Sequence, residues 1–344
     1  MAPIFTGSRM GFGRVDVLST SISLLYFKII LANFSSNNIL IYDTLSDSFS
    51  SVTIGSAGQI YQLHNTSSGL VSIANDDGSN CTVYRSTNNG SSWSSISTVG
   101  FTQINLSKYT SKSGETIILN QNAYDPPSRR STDGGGSWSG NITLPGFSSF
   151  GALGTASRSN GNWYYTGRYV GGYDVGSMWR STDNGASWTQ VATFNNDQTN
   201  GKVAYASNVG RYVAANYPYS TYTYQKPVYS SNGTSWTNPG NGTAGQNFAI
   251  THDVDASSTS YIGVSNNSGI YRSTDGLNWT SIDLSYLSGL SNNATVVYNS
   301  TLQYYFVLGP SYFLVSIDDG LTWIKKSTAI SGNYSNTSPL ILTS

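Results

Sequence analysis

Glycoside hydrolysis by paired carboxylates needs two acidic side chains facing each other across the bond, commonly ~5 to 9 Å apart. The sequence holds a single glutamate, Glu115, within Lys112-Ser113-Gly114-Glu115-Thr116, which reads as a turn. Glutamate is mostly exposed in folded proteins, so the expectation is a solvated residue whose change to Gln alters nothing. Asp125 and Asp174 form the alternative pair, acid and base of an atypical site, if neighbouring units carry them into one cleft. His64 and His252 lie far apart in the chain, and no nucleophile-elbow Ser or Cys accompanies either, so a hydrolase triad has no support. Asn75-Asp76-Asp77-Gly78 and His252-Asp253-Val254-Asp255, the latter at the end of an inner strand, raise the question of a metal. Neither matches an EF-hand loop, and a carboxylate pair falls short of the roughly six to eight oxygens that calcium prefers. Both read as ordinary turn acids. Cys81 is the one cysteine, which excludes an intrachain disulfide and a thiolate metal cage. The expectation is a chain with no catalytic residues, no metal site and no cofactor.

Two other groups of residues carry recognition chemistry. Arg85, Arg130, Arg180 and Arg272 could read an anion, but each directly precedes the Ser of a recurring turn. A residue tied to a repeat in this way is structural by default, its stem covering a neighbouring element and its head reaching water. The tyrosines are the stronger candidates. Arg168-Tyr169-Val170-Gly171-Gly172-Tyr173-Asp174 and the run from Asn216 to Gln225 fall in the two longest units of the chain. Tyrosine offers area and a hydroxyl at low entropic cost, and loops on a rigid scaffold often carry binding. The expected ligand-binding set is Tyr169, Tyr173, Asp174, Tyr217, Tyr219, Tyr222 and Tyr224; the alternative is that these tyrosines pack their own loops.

The elements that would position them follow from a repeat. Ser86 to Trp93, Ser131 to Trp138, Ser181 to Trp188 and Ser316 to Trp323 share the pattern Ser-x-Asx-x-Gly-x-x-Trp. Ser230 to Trp236 and Ser273 to Trp279 are the same turn shortened by one residue, and Tyr42 to Phe49 is a degenerate copy closed by Phe. The closing aromatics Phe49, Trp93, Trp138, Trp188, Trp236, Trp279 and Trp323 recur about every 45 residues. That period holds four short strands, and a unit of that size must stack on copies of itself, with radial closure leaving only short edges. The fold class is all-β, a single β-propeller of seven four-stranded blades, with six as the alternative. In the last unit, alternation and turn residues place strands at Thr295 to Asn299, Tyr304 to Leu308, Tyr312 to Ser316 and Thr322 to Lys326. Domain limits are an N-terminal arm at 1–12, the propeller at 13–330, and a tail or closing strand at 331–344.

This pattern resembles the Asp-box, or bacterial neuraminidase repeat, propellers over roughly residues 13 to 330. The residues of the motif have structural roles: Asn88, Asp133, Asp183, Asn232, Asp275 and Asp318 bond turn amides, Gly allows positive φ, and the indole wedges between blades. Trp93, Trp138, Trp188, Trp236, Trp279 and Trp323 are therefore expected to be buried. The resemblance implies that these turns gather on one face, opposite the face where the family's enzymes work. It also brings sialidases to mind, which require an arginine triad, a Tyr/Glu pair and an early Arg-Ile-Pro motif. Arg14 sits in Phe12-Gly13-Arg14-Val15 without that motif, so sialidase chemistry is not expected. Such a ring is also similar to photosystem II assembly proteins, an alternative reading.

Composition narrows the setting. Charged residues are 10% of the 344 and the formal net charge is zero, which gives no footprint for binding nucleic acid. The start lacks the basic and apolar pattern of a signal peptide. The most apolar segment, Ser23 to Ala32, contains Lys28 and is far shorter than the ~20 residues of a membrane span. The opening Ile4 to Gly13 is similar to short N-terminal stretches of some phage structural proteins and could form a docking arm. The expected role is non-catalytic attachment or assembly, outside cells or on a virion surface, with a cell-surface glycan or other virion subunits as partner.

Overall fold

A computed structural model describes residues 27–32, 36–55, 59–75, 80–100, 115–120, 128–142, 145, 154–169, 175–195, 201–215, 227–239, 253–265, 269–287, 295–309, 311–327 and 340–343. Every regular element among them is a β-strand. The first sheet holds β1 (Phe27–Ala32), β2 (Asn38–Asp43) and β3 (Ser48–Thr53), and the second β4 (Gln59–Thr66), β5 (Gly69–Asn75), β6 (Cys81–Ser86) and β7 (Ser94–Thr98). The third holds β8 (Ile117–Asn120) and β9 (Ser128–Ser131), and the fourth β10 (Gly154–Ser159), β11 (Asn162–Tyr169), β12 (Val175–Ser181) and β13 (Thr189–Asn195). The fifth is β14 (Val203–Ala206), β15 (Arg211–Ala214) and β16 (Val228–Ser230), and the sixth β17 (Asp253–Ala256), β18 (Tyr261–Val264), β19 (Ile270–Ser273) and β20 (Thr280–Ser281). The seventh is β21 (Thr295–Asn299), β22 (Tyr304–Leu308), β23 (Tyr312–Ser316) and β24 (Ile324–Ser327), while β25 (Leu340–Thr343) pairs with β1.

Short antiparallel hairpins therefore repeat along the chain, as its turns every ten or so residues require. The first strand of one sheet lies against the first strand of the next, β10 with β14, β14 with β17, and β17 with β21. These are the inner strands. β25 takes the inner place in the first sheet and contacts β4, so the two ends of the chain share one sheet.

The core is divided into interfaces between sheets. Ile30, Ile39 and Ile41 of the first sheet pack on Ile60, Leu63 and Leu70 of the second. Tyr164, Met178 and Phe194 of the fourth meet Val203, Tyr212 and Val228 of the fifth. Phe27, Leu40 and Tyr42 of the first meet Phe306, Leu308 and Phe313 of the seventh, which closes the cycle. No sheet buries both faces by itself, and each gains its burial from two neighbours.

Two sheets depart from four strands among the described residues. In the third and fifth, the outer strand is represented by single bridges, Ser128 to Ile142 and Tyr229 to Thr237. The tryptophans differ as well. Trp188, Trp279 and Trp323 are buried as expected, but Trp93, Trp138 and Trp236 are only partly so. Each indole immediately precedes the outermost strand of its sheet, at the rim, and its burial does not follow that strand's length: Trp279 is covered beside the two-residue β20, and Trp93 is only partly covered beside the five-residue β7. The proposed arm, residues 1–12, lies outside the described residues.

Candidate functional site

Six turns share one bonding scheme, built by the local spacing of Ser, Asx and Gly. In the fourth sheet the Ser181 hydroxyl donates to Asp183 Oδ1 at 2.7 Å and accepts from the Gly185 amide at 2.8 Å. Asp183 Oδ1 also accepts from the Ser187 amide at 2.9 Å. The same three contacts recur with Ser86, Asn88 and Gly90, with Ser131, Asp133 and Gly135, and with Ser316, Asp318 and Gly320. The shortened turns keep them through Ser230, Asn232 and Gly233 and through Ser273, Asp275 and Gly276. Gly185 needs to be glycine: its φ is 82°, and a Cβ would stand 2.6 Å from Ile118 Cδ1 of the third sheet.

The carboxylates of these turns are held in their charged form. Burial works against Asp133, yet the Ser137 hydroxyl and amide and the Ser131 hydroxyl bring its pKa down to about 2. Asp275 is likewise opposed by burial and brought to about 2 by the amides of Asn278 and Leu277. Asp183 is lowered chiefly by the Ser187 hydroxyl and amide.

The arginines correct the expectation that their heads reach water. Arg85 Nη2 donates to Gly134 O at 3.0 Å, and Arg130 Nη1 to Asn184 O at 3.1 Å, each in the turn of the next sheet. Arg272 grips the seventh turn twice, through Nε to Asp319 O at 2.7 Å and Nη2 to Asp319 Oδ2 at 2.7 Å. At the fifth-to-sixth junction Arg211, on β15, donates to Asp275 O. Glu115 is a second correction. Its Oε1 accepts from the Ser67 amide at 2.6 Å and the Ser67 hydroxyl at 2.5 Å, which lowers its pKa and ties the third sheet to the second. A partly buried carboxylate with such donors is not a free solvated group.

The residues expected from the sequence to bind a ligand on the face opposite these turns are mostly not described. Tyr173, Asp174, Tyr217, Tyr219, Tyr222 and Tyr224 lie outside the described residues, as do Asp125 and His252, and Tyr169 is described only as the last backbone position of β11. What that face does contain is a charged cluster at the starts of three inner strands. Lys202 Nζ donates to Asp255 Oδ2 at 2.7 Å and to Val296 O at 2.9 Å, and stands 3.9 Å from Asp253 Oδ2. Asp253 Oδ2 accepts from Thr295 Oγ1 and the Val296 amide, both at 2.9 Å, and Asp255 Oδ2 from the Tyr298 amide at 3.0 Å.

Asp253 and Asp255 are thus not ordinary turn acids. They open β17 and bond the inner strand of the seventh sheet, giving its amides partners that no adjacent strand supplies. One ammonium faces two carboxylates there. Asp253 has no exposed surface, and its burial raises its pKa to about 6 against the pull of Lys202. Lys202 loses solvation too, but the two aspartates outweigh that and hold its pKa above the ordinary lysine value. Lys202 pairs with both, closely with Asp255 and at the longer 3.9 Å with the fully buried Asp253, which is the less well compensated of the two. Sequence reasoning saw the Asp-x-Asp spacing, which puts both side chains on one face of a strand, but nothing in it marked Lys202.

No protein-family model matches the chain, and no curated protein matches it. Several solved structures are similar. One, described as "YCF48 bound to D1 peptide", is 19% identical with a TM-score of 0.52, over 78% of this chain and 81% of that one. Apo AztD from Citrobacter koseri is 9% identical with a TM-score of 0.51, over 93% of this chain and 98% of that one. Sqt1 of Saccharomyces cerevisiae is 10% identical with a TM-score of 0.54, over 89% and 87%. These neighbours are β-propellers, and so is this chain. At such identities the likeness concerns the fold alone.

Proposed function

We propose that this propeller is a non-catalytic binding module for attachment or assembly, working outside cells or on a virion surface. Its partner is a cell-surface glycan or another virion subunit, met on the face opposite the Ser-x-Asx turns. The observation that carries the reading is where the described acids are engaged. Glu115 and the turn aspartates bond amides and hydroxyls, and Asp253 and Asp255 bond Lys202 and an inner strand. Carboxylates committed in this way hold a scaffold together, which leaves recognition to the tyrosine-bearing segments 168–174 and 216–225. The repeated Ser, Asx and Gly bonding supports reading the turns as Asp boxes.

A glycan array probed with the wild type and with a variant carrying Ala at Tyr217, Tyr219 and Tyr222 tests the proposal. The expected result is a hit lost in the variant and little changed between low and physiological salt, because a neutral surface offers few ion pairs to screen. A hit that survives the substitutions overturns the tyrosine assignment. Turnover of a chromogenic glycoside or sialoside overturns the non-catalytic reading.

A second reading, an assembly factor that grips a peptide of a client protein, is favoured by the similarity to a propeller whose description includes a bound D1 peptide. Retention of a polypeptide by the immobilised chain, with the glycan array blank, would decide for it.

A further inference from the structure

Arg85, Arg130, Arg211 and Arg272 each clasp the following sheet by donating to a carbonyl in its turn. Two of these guanidinium groups also meet a carboxylate. Arg85 lies close enough to Glu115 to help lower its pKa, and Arg272 Nη2 bonds Asp319 Oδ2 at 2.7 Å. In the fourth turn the residue at the place of Asp319, one after the Asx, is Asn184. Its side chain is already taken, with Oδ1 accepting from Trp163 Nε1 at 3.0 Å and Nδ2 donating to Thr116 Oγ1 at 2.6 Å. The Asp183 carboxylate is taken too, by the hydroxyls of Ser181 and Ser187. Arg130 is therefore left with one side-chain bond, to Asn184 O, and with no carboxylate partner among the described residues.

Arg130 lines an open cleft of about 460 Å³ at the rim, between the third sheet and the fourth turn. The cleft exists because the third sheet stops short. At the preceding junction β7 reaches across, where the Ser97 hydroxyl donates to Gly135 O and accepts from Trp138 Nε1 at 3.3 Å. In the third sheet the outer strand is only the bridge from Ser128 to Ile142, and Trp188 Nε1 turns back to Gly185 O of its own turn at 3.2 Å. The walls are nevertheless fixed. Pro145 O accepts from Trp179 Nε1 at 2.8 Å, and Ser139 bonds both backbone groups of Arg130.

A cation without a counter-ion favours an anionic ligand, and within a cleft its attraction is screened less than on an open surface. The planar guanidinium fork suits a carboxylate. One cation also matches one negative charge, which a phosphate monoester exceeds. The volume is that of a small-molecule site. Ile142, Pro145 and Trp188 contribute apolar area to it, while Asn141 and the backbone of the fourth turn contribute polar groups. That mixture fits a pyranose ring, apolar across its C–H face and hydroxylated round its edge. We propose that this cleft binds a saccharide unit bearing a carboxylate, a hexuronic acid, with its carboxylate on Arg130. The site is separate from the tyrosine-bearing segments and does not depend on their role.

Isothermal titration calorimetry with an oligogalacturonate tetrasaccharide and its carboxyl-reduced counterpart tests the proposal, because the two sugars differ only in their carboxylates. The acidic sugar should bind about tenfold tighter or more, the worth of one charge-assisted pair, and should weaken as salt is added. Ala186→Glu, an exposed change in the cleft wall that leaves the clasp in place, sets a competing carboxylate beside Arg130 and should abolish binding. Arg130→Met should abolish it as well, and if that variant does not fold, Ala186→Glu decides. The variant with Ala at Tyr217, Tyr219 and Tyr222 should bind as the wild type does, which separates this site from the tyrosine-bearing face. No binding at millimolar sugar, equal affinity for the reduced sugar, or an unaffected Ala186→Glu protein overturns the proposal. So does loss of binding in the tyrosine variant, which assigns the sugar to the opposite face.

Discussion

Asp253→Asn should make the protein progressively more stable relative to the wild type as pH rises from 4 to 7. Asp253 is wholly buried, and its pKa of about 6 in the folded protein compares with 3.8 for the free side chain. The folded state therefore binds this proton more tightly than the unfolded chain does. Stability from the group is fully present below pH ~4 and is lost as pH rises through about 6. A difference of roughly two pH units at 1.36 kcal/mol each sets the loss at about 3 kcal/mol. Asparagine is neutral throughout; its single carbonyl oxygen can still accept from Thr295 Oγ1 and the Val296 amide, while the Val254 amide loses its acceptor at every pH, a constant offset that cancels from the pH dependence. Urea unfolding of both proteins at pH 4, 5, 6 and 7 isolates the effect, because the depressed turn aspartates are common to both and cancel. The expected outcome is a variant-minus-wild-type difference that grows by up to about 3 kcal/mol between pH 4 and 7. A flat difference would refute the reasoning. A difference of opposite sign would mean that Lys202, 3.9 Å away, stabilises the carboxylate by more than burial costs.

Trp323→Ala, which deletes a 2% exposed indole, should cost about 3 to 5 kcal/mol in denaturant melts, and Trp93→Ala clearly less because its indole is only partly buried. Glu115→Gln, expected from sequence to be silent, should instead cost about 1 kcal/mol, as a partly exposed carboxylate loses the charge that Ser67 stabilises. Below pH ~4 the protein should lose stability as Asp133 and Asp275, both held at about 2, take up protons; Asp275→Asn should flatten the acid limb of the pH profile. A double-mutant cycle on Arg272 and Asp319 should give a coupling of about 1 kcal/mol, and a value near zero would assign the clasp to the backbone carbonyl alone.

The strands of the last unit illustrate how far a sequence reading reaches. Alternation placed three of them at Thr295–Asn299, Tyr304–Leu308 and Tyr312–Ser316, where β21, β22 and β23 lie. The fourth begins at Ile324 rather than Thr322, because the amide and hydroxyl of Thr322 are taken by Asp318 within the turn. A side-chain bond of the turn thus competes with the strand ladder for the same residue. The candidate site was less legible. Its tyrosine segments stand out in the sequence by composition and length alone, and beyond Arg168 and Tyr169 they lie outside the described residues.

By itself the sequence determined the repeat, the turns and the all-β class, because these rest on contacts within a few residues of one another. Ser181, Asp183 and Gly185 can find each other in any chain that brings them that close. Tertiary structure alone decided the fate of the charges. Glu115 meets Ser67, Arg272 meets Asp319, and Lys202 meets Asp255, each about one repeat away and across a sheet boundary. A residue's type and period are the same whether its head turns to water or to the neighbouring sheet. The choice depends on how closely the inner strands and turns of adjacent sheets approach, and that distance is set by the packing of the whole ring.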